Sequence, residues 1–195
     1  MTEAATRLSK PSPEIIGKAP FRFRRFISSS VIQEHVRALA TRLRADYHDK
    51  KPVMVGVLNG AFIFMADLAR EMNIPCETDF IKLSSYRDKT IPGAIQLSKD
   101  VEIDLRERHV LIIEDIVDTG NSEEFLRRHI LSKNPASVAM VAMFVKPRKN
   151  NGVPSVEYSG MQIPDAFVVG YGLDCAQQWR HLPDLYVLQP NEGNE

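Results

Sequence analysis

Three short apolar runs, separated by segments with a helical period, constrain the fold of this 195-residue chain more than any other feature. The runs are VMVGVL (53–58), VLIIED (110–115) and SVAMVAMFV (137–145), in which apolar residues follow one another without the alternation of a half-buried strand. Continuous apolar strands are typical of parallel sheets that helices cover on both faces. Residues 61–72 and 122–133 have the helical period. The pattern predicts an α/β fold with a mostly parallel sheet.

Weaker signals complete the order of elements. Apolar residues spaced by three and four predict an amphipathic helix over residues 28–49, in which Ser30 and Gln33 have the spacing of a capping box. Further strands are predicted at residues 78–84, 166–172 and 185–188.

Two polar stretches, residues 85–100 and 146–165, do not fit as simple connections. Each contains proline and glycine, and loops of this length are often functional, so the first is a candidate lid or hairpin. The length of the chain predicts one domain over residues 21–195. The lysines and prolines of residues 1–20 predict a poorly ordered tail.

Charge and cysteine content narrow the function. The 25 basic and 25 acidic residues cancel, which gives no electrostatic reason to expect nucleic-acid or membrane binding. Cys76 and Cys175 have no paired spacing, so we expect reduced thiols and a cytoplasmic protein. The five histidines have no metal-ligand spacing, and no run of about twenty apolar residues is present.

Three carboxylates, Glu114, Asp115 and Asp118, lie at the end of an apolar strand, although acidic side chains resist burial. One interpretation is that Glu114 and Asp115 lie in a solvated turn and that Asn121 caps the next helix, with Glu123 and Glu124 favourable in its first turn. The sequence has no GxxxxGK[ST] loop and no GxGxxG fingerprint. The two aspartates are three positions apart, which does not fit a phospho-aspartate motif of the form DxDx[TV].

What remains is an acidic pair followed by DTGNS at the start of a helix. A helix start is an anion site, so Thr119, Ser122 and the backbone around Gly120 can cradle a phosphate. Glu114 and Asp115 suit sugar hydroxyls or a hydrated Mg²⁺. This combination predicts a site for a ribose 5-phosphate.

The segment VLIIEDIVDTGNS resembles the phosphoribosyl-diphosphate (PRPP) motif of type I phosphoribosyltransferases. Between about residue 20 and residue 189, five more segments are similar to hypoxanthine-guanine phosphoribosyltransferases: GVLNGAFIFMADLAR, KLSSYRD, MFVKPR, IPDAFVVGYGLD and WRHLPDLYVL. The resemblance implies a twisted, mostly parallel sheet flanked by helices, with a small hood formed by the terminal segments. It also implies Mg²⁺ as cofactor, PRPP and a 6-oxopurine as substrates, a nucleoside monophosphate and pyrophosphate as products, and a homodimer or homotetramer.

The resemblance also implies a role for each matching residue. Asp118 is the catalytic group, placed near purine N7 as proton acceptor. The ribose and the 5-phosphate are bound by Glu114, Asp115, Asp118, Thr119, Gly120, Asn121 and Ser122. Pyrophosphate is bound by Leu58, Asn59, Gly60 and Arg180, and the flexible loop carries Ser85 and Tyr86. The purine side comprises Lys146, Phe167, Val168 and Asp174, and the metal is held by Glu114, Asp115 and Asp174.

Several alternatives remain open at this level. Many members of the family have lysine where this chain has Asn59, which leaves that side-chain contact open. Without the resemblance, Lys146 is a solvated lysine at a strand end, and Phe167 fits a core as well as a base platform. A regulatory RNA-binding protein on the same fold, or a transferase for xanthine or another base, are the competing functions. A charged donor at Lys146 favours a 6-oxopurine over adenine.

Overall fold

A computed structural model describes residues 12–18, 20–85, 95–118, 121–147 and 156–190. Its helices are α1 (Ser29–Tyr47), α2 (Phe62–Met72) and α3 (Asn121–Leu131). Its strands are β1 (Ile15–Lys18), β2 (Phe21–Ile27), β3 (Val53–Leu58), β4 (Glu77–Ser85), β5 (Ile95–Lys99), β6 (His109–Val117), β7 (Ser137–Val145), β8 (Tyr158–Gln162), β9 (Val168–Val169) and β10 (Leu185–Leu188).

The central sheet has the strand order β5-β4-β3-β6-β7-β8. The five strands from β4 to β8 in this order pair in parallel, and only β5 runs antiparallel, at the edge beside β4. The predicted α/β fold with a mostly parallel sheet is therefore confirmed. Strand β6 lies inside the sheet, between β3 and β7, so its carboxyl end opens at the middle of one sheet edge.

The apolar runs are continuous because helices cover both faces of this sheet. Along β6, Leu111 and Ile113 face the core that includes α1 and α2, whereas Val110 and Ile112 face the core that includes α3. All four side chains are fully buried. At about 25 cal/mol per Å² of buried apolar surface, such strands provide much of the stability of the fold.

A second, antiparallel sheet forms the predicted hood from both terminal segments, in the order β1-β2-β10-β9. Its core is Phe23, Val169 and Tyr186. Strand β1, at Ile15–Lys18, pairs with β2. The hood therefore includes residues that were predicted to belong to a poorly ordered tail ending at residue 20. Residues 1–11 lie outside the described part of the chain.

Three element predictions need correction. The strand predicted at residues 166–172 is limited to β9, because the backbone has positive φ from residue 170 to residue 172, which ends an extended strand. The two stretches treated as irregular contain strands β5 and β8, and the antiparallel pairing of β5 with β4 agrees with the hairpin that was one interpretation of residues 85–100. Both are edge strands of mixed polarity, so neither has the continuous apolar pattern of the interior strands.

The capping box predicted for α1 is also wrong. The helix begins at Ser29, and the side chain of the N-cap residue, Ser28, makes no capping hydrogen bond. The carboxylate of Asp184, in the hood, instead accepts a hydrogen bond from the backbone N–H of Ser29 at 2.6 Å. Gln33 donates to Asp67 of α2 at 2.7 Å. A carboxylate from a distant segment therefore takes the place of the local cap.

In the part of the chain that the structure describes, no helix is long and apolar enough to cross a membrane.

Candidate active site

The carboxyl end of β6 carries Glu114 and Asp115 into a nearly buried position at the middle of the sheet edge. Each residue is only 8% exposed. Asp118 follows directly after the strand, and its side chain is 52% exposed. The solvated-turn interpretation of the acidic pair is therefore wrong, because the pair belongs to an interior strand of the sheet.

The electrostatics of the acidic pair are unfavourable without a ligand. Burial raises the pKa of Glu114 well above its ordinary value, and the charges of Asp115 and Glu123 raise it further. Burial also raises the pKa of Asp115 to about 6, although backbone N–H groups and Arg180 partly oppose the shift. Two buried carboxylates at neighbouring positions of a strand are stabilised by cations or hydroxyl donors. The pair therefore favours a ligand that supplies them.

Asp118 and Lys146 form an ion pair at the ends of neighbouring strands. Strands β6 and β7 pair with Val117 opposite Val145, and the backbone N–H of Lys146 donates to the carbonyl of Val117 at 2.9 Å. This register places the Lys146 Nζ 3.0 Å from the Asp118 Oδ2 and 3.7 Å from a carboxylate oxygen of Asp165. Lys146 is only 8% exposed, so it is not a solvated strand-end lysine.

Two cavities open on either side of Asp118. The first, of about 240 Å³, is lined by Val57, Leu83, Glu114, Ile116, Val117, Asp118, Ser122 and Glu123. It lies at the start of α3, where free backbone N–H groups favour an anion. Of the residues expected around the phosphate, Thr119 and Gly120 lie outside the described residues, and Asn121 is the first residue of α3.

The second cavity, of about 360 Å³, is lined by Asn59, Gly60, Asp115, Ile116, Asp118, Lys146, Phe167, Val168, Leu173, Asp174 and Arg180. Phe167 is 48% exposed here, and its ring centroid lies 6.1 Å from that of Phe23 in the hood. The exposed ring fits a platform for a planar ligand better than it fits a core. Val168 beside it is buried in β9.

The turn after β3 contacts the acidic pair. The peptide bond between Leu58 and Asn59 is cis. A Cβ on Gly60 would lie 1.7 Å from the Asp115 Oδ2, so only glycine fits against this carboxylate. Across the same cavity, Arg180 and Asp174 form an ion pair with a separation of 2.6 Å. The structure thus brings the residues assigned to pyrophosphate next to those assigned to ribose.

The remaining predicted site residues belong to the candidate lid. Ser85 is the last residue of β4. Tyr86 lies outside the described residues, so closure of a loop over the site stays a prediction.

Two residues of the site were not predicted from the sequence. Glu123 lies in the first turn of α3, as the capping interpretation expected, but it is only 5% exposed and lines the first cavity with Glu114. The signal was its helical spacing from Leu126 and Ile130, which are both fully buried. Asp165 approaches Lys146 from the segment before Phe167, and nothing in its local sequence distinguishes it from a surface aspartate.

Comparison with known proteins gives one consistent result. The phosphoribosyl transferase domain family matches residues 28–176. The hypoxanthine-guanine phosphoribosyltransferase of Bacillus subtilis is 38% identical over 165 residues, which cover 84% of this chain and 92% of that protein.

Solved structures agree with this result. The crystal structure of a hypoxanthine-guanine phosphoribosyltransferase from Bacillus anthracis matches with a TM-score of 0.78 at 36% identity, over 85% of this chain and 98% of the other. That of a hypoxanthine phosphoribosyltransferase from Staphylococcus aureus gives 0.80 at 34% identity, over 88% and 94%.

The fold and the site define a type I phosphoribosyltransferase, as the PRPP motif indicated. Relatives of 34–38% identity align over most of both chains, and all of them are hypoxanthine or hypoxanthine-guanine phosphoribosyltransferases. The chain belongs to the hypoxanthine phosphoribosyltransferase family.

Proposed function

We propose that the protein acts in purine salvage by transferring the 5-phosphoribosyl group of PRPP to N9 of hypoxanthine, with guanine as a second substrate. The products are the nucleoside monophosphate and pyrophosphate. The two cavities support this assignment, because one lies at a helix start suited to a phosphate and the other lies between an exposed ring and the Arg180 side chain.

The Lys146–Asp118 pair is the observation that carries the proposal. In a 6-oxopurine, the 6-oxygen and N7 lie side by side on one edge. The Lys146 ammonium can donate to the oxygen while Asp118, 3.0 Å away, accepts the proton on N7. Adenine presents a 6-amino donor to the lysine, so the same pair rejects it. The arrangement therefore supports hypoxanthine and guanine over adenine.

The reaction needs no nucleophile on the protein. The lone pair of purine N9 forms a bond to ribose C1′ while the bond from C1′ to the pyrophosphate oxygen breaks, and its electron pair leaves with pyrophosphate. The proton on N7 passes to Asp118. Lys146 holds the 6-oxygen, Phe167 stacks on the base, and Arg180 contacts the leaving group. The protein contributes positioning and electrostatic stabilisation.

Mg²⁺ is part of the proposal, and the side chains present fit it. No group of three or more metal-ligating side chains occurs among the described residues. Mg²⁺ commonly binds through one or two carboxylates, with substrate phosphates and water completing its shell. Glu114 and Asp115 form a buried pair whose pKa values are raised by burial, and Asp174 faces the same cavity as Asp115. The bound ion would neutralise charge on pyrophosphate.

A PRPP-dependent assay with four bases tests the function. We expect turnover with hypoxanthine and guanine, and none with adenine, because Lys146 can donate to a 6-oxygen but not to the 6-amino group of adenine. The assay measures formation of each nucleoside monophosphate in the presence of Mg²⁺. Turnover with xanthine alone would assign a different acceptor. No turnover with any base would favour a regulatory function on the same fold.

Replacing Lys146 with glutamine should weaken use of the base selectively. The amide can still donate to the 6-oxygen, but the charge-assisted bond is lost, so kcat/KM for hypoxanthine should fall about 10- to 100-fold. Steady-state kinetics with each substrate varied in turn provides the measurement, and KM for PRPP should change little. Equal losses for both substrates would contradict a role at the base.

Location and assembly are also part of the proposal. Cys76 and Cys175 are free thiols, which supports the proposed cytoplasmic location. A homodimer or homotetramer stays a prediction from the family, and light scattering after size-exclusion chromatography measures the mass in solution.

A further inference from the structure

The turn that leads from β9 to Asp174 has an unusual backbone. Gly170, Tyr171 and Gly172 have φ angles of 99°, 48° and 99°. Two of these positions suit glycine, but a residue with a β-carbon rarely adopts the left-handed conformation of Tyr171. The ends of the turn exchange two backbone hydrogen bonds of 3.0 Å between Gly170 and Leu173. A tyrosine in this conformation needs surrounding contacts that hold it there.

The side chain of Tyr171 provides those contacts, and they lead away from the site. It is only 2% exposed, and its ring packs edge-on against Phe144 with the centroids 6.4 Å apart. Its hydroxyl donates to Asp67 Oδ2 of α2 at 2.8 Å. Burial, and then the bond to Asp67, raise the pKa of Tyr171, so the hydroxyl keeps the proton that it donates.

Asp67 is itself fixed by two helices. Gln33 of α1 donates to the same Oδ2 atom at 2.7 Å, and Arg70 of α2 pairs with the other oxygen. The aspartate side chain is only 15% exposed. The tyrosine hydroxyl therefore binds an acceptor that belongs to the rigid helical layer and not to a loop.

Gly172, the residue after Tyr171, touches both parts of the pyrophosphate side. A Cβ on Gly172 would lie 2.1 Å from the carbonyl oxygen of Gly60, so the backbone of the turn packs directly against the loop after β3. Gly172 also donates its N–H to the carbonyl of Arg180 at 3.0 Å and accepts from the Arg180 guanidinium at 2.8 Å. Any shift of the turn therefore moves Gly60 and Arg180 together.

From these contacts we infer that Tyr171 is a positioning residue for the pyrophosphate site, an inference that rests on the proposed function. Its hydroxyl bond to Asp67 ties the turn at residues 170–173 to α2, and the turn sets the distance between the Gly60 loop and Arg180. Lys146 and Asp118, the groups proposed to contact the 6-oxygen and N7 of the base, are held separately from the turn, because the register of β6 and β7 places them. Loss of the tyrosine hydroxyl affects the leaving-group side and spares these two contacts to the base edge.

Tyr171→Phe tests this inference, with Tyr158→Phe as the matched control. Tyr158 also donates its hydroxyl to an aspartate, Asp46 Oδ2 at 2.7 Å, but it lies on edge strand β8. Binding of pyrophosphate with Mg²⁺ is measured by calorimetry, which needs no turnover. We expect Tyr171→Phe to weaken this binding and raise KM for PRPP by about 3- to 10-fold, the effect of one lost hydrogen bond. In the same variant, KM for hypoxanthine should stay within about twofold of wild type, because the base contacts are separate.

The control variant should bind pyrophosphate as wild type does. A second variant, Asp67→Ala, should weaken pyrophosphate binding similarly, and adding Tyr171→Phe to it should cause little further loss, because both substitutions break the same link. Equal pyrophosphate binding by the Tyr171→Phe and Tyr158→Phe proteins would overturn the inference. If the wild-type protein still turned over hypoxanthine, the proposed function would be unaffected by that result. A wild-type protein that neither turns over a base nor binds pyrophosphate would overturn both.

Discussion

Replacing Asp118 with asparagine is expected to lower kcat by about 100- to 10,000-fold, the contribution of a well-placed general base. Asparagine has the same shape, and its amide oxygen can still accept from the Lys146 Nζ, which lies 3.0 Å from the aspartate. The amide cannot take up the proton from purine N7. It also carries no charge to stabilise the positive charge that develops on the purine as N9 bonds to C1′. PRPP binding should change far less than kcat, since Asp118 is only one of the groups expected to bind the ribose and 5-phosphate and none of those expected to bind pyrophosphate. Single-turnover rates at saturating substrate provide the measurement.

Asp165→Asn is the control for this substitution. Asp165 also approaches Lys146, at 3.7 Å, so its loss removes a comparable charge from the same ammonium group. If Asp118 only neutralised Lys146, both variants would lose similar activity. We expect the Asp165 variant to retain far more activity than the Asp118 variant. A kcat equal to that of wild type in Asp118→Asn would rule out the proton-acceptor role.

The interior of the sheet and the main site were predictable because their determinants are local. Strands β6 and β7 are buried on both faces, so their sequences are continuously apolar and their positions follow from the chain alone. The carboxylates of Glu114, Asp115 and Asp118 stand out because they interrupt such a run. Parallel strands open their carboxyl ends on one edge, which places the cluster where ligands bind.

The edges and the long-range contacts were not predictable in the same way. Strands β5 and β8 are partly exposed, so their mixed composition resembles that of a loop. Strand β2 was not predicted, although phenylalanine and arginine alternate at its start. In the sequence, the same segment can also be interpreted as a cluster of basic residues. Asp184 caps α1 from 155 positions away, and Asp165 reaches Lys146 only after the chain has folded. Contacts of this kind depend on tertiary structure, which no short pattern encodes.

Asp115→Asn should give opposite changes in activity and stability. The carboxylate lies against Gly60 in a nearly buried position, where burial raises its pKa from 3.8 to about 6. Because the folded-state pKa is above the unfolded value, this group lowers stability as pH rises through that interval. Without ligand, the stability of wild type minus that of the variant should fall by about 2–3 kcal/mol between pH 4 and pH 8. Activity should move the other way, with kcat/KM for PRPP reduced about 10- to 100-fold by loss of the charged acceptor.

The matched control for stability is Asp79→Asn. Burial alone would raise the pKa of Asp79, but the backbone N–H groups of Ile103, Phe80 and Glu102, together with Lys99, outweigh it and the pKa is lowered. Its contribution to stability is therefore present above pH 3.8 and is lost as pH falls through the lowered value. Chemical denaturation at each pH, with EDTA present, measures both variants.

At pH 8 the Asp79 variant should be less stable than wild type, because the amide would turn a donor towards these backbone donors. The difference between wild type and this variant should stay level between pH 4 and pH 8, whereas the Asp115 difference falls. Parallel pH profiles for the two variants would show that burial does not destabilise the Asp115 carboxylate. A falling Asp115 profile beside a level Asp79 profile would mean that the folded chain retains an unfavourable charge at the end of β6, where the proposed contacts with ribose hydroxyls and Mg²⁺ would stabilise it.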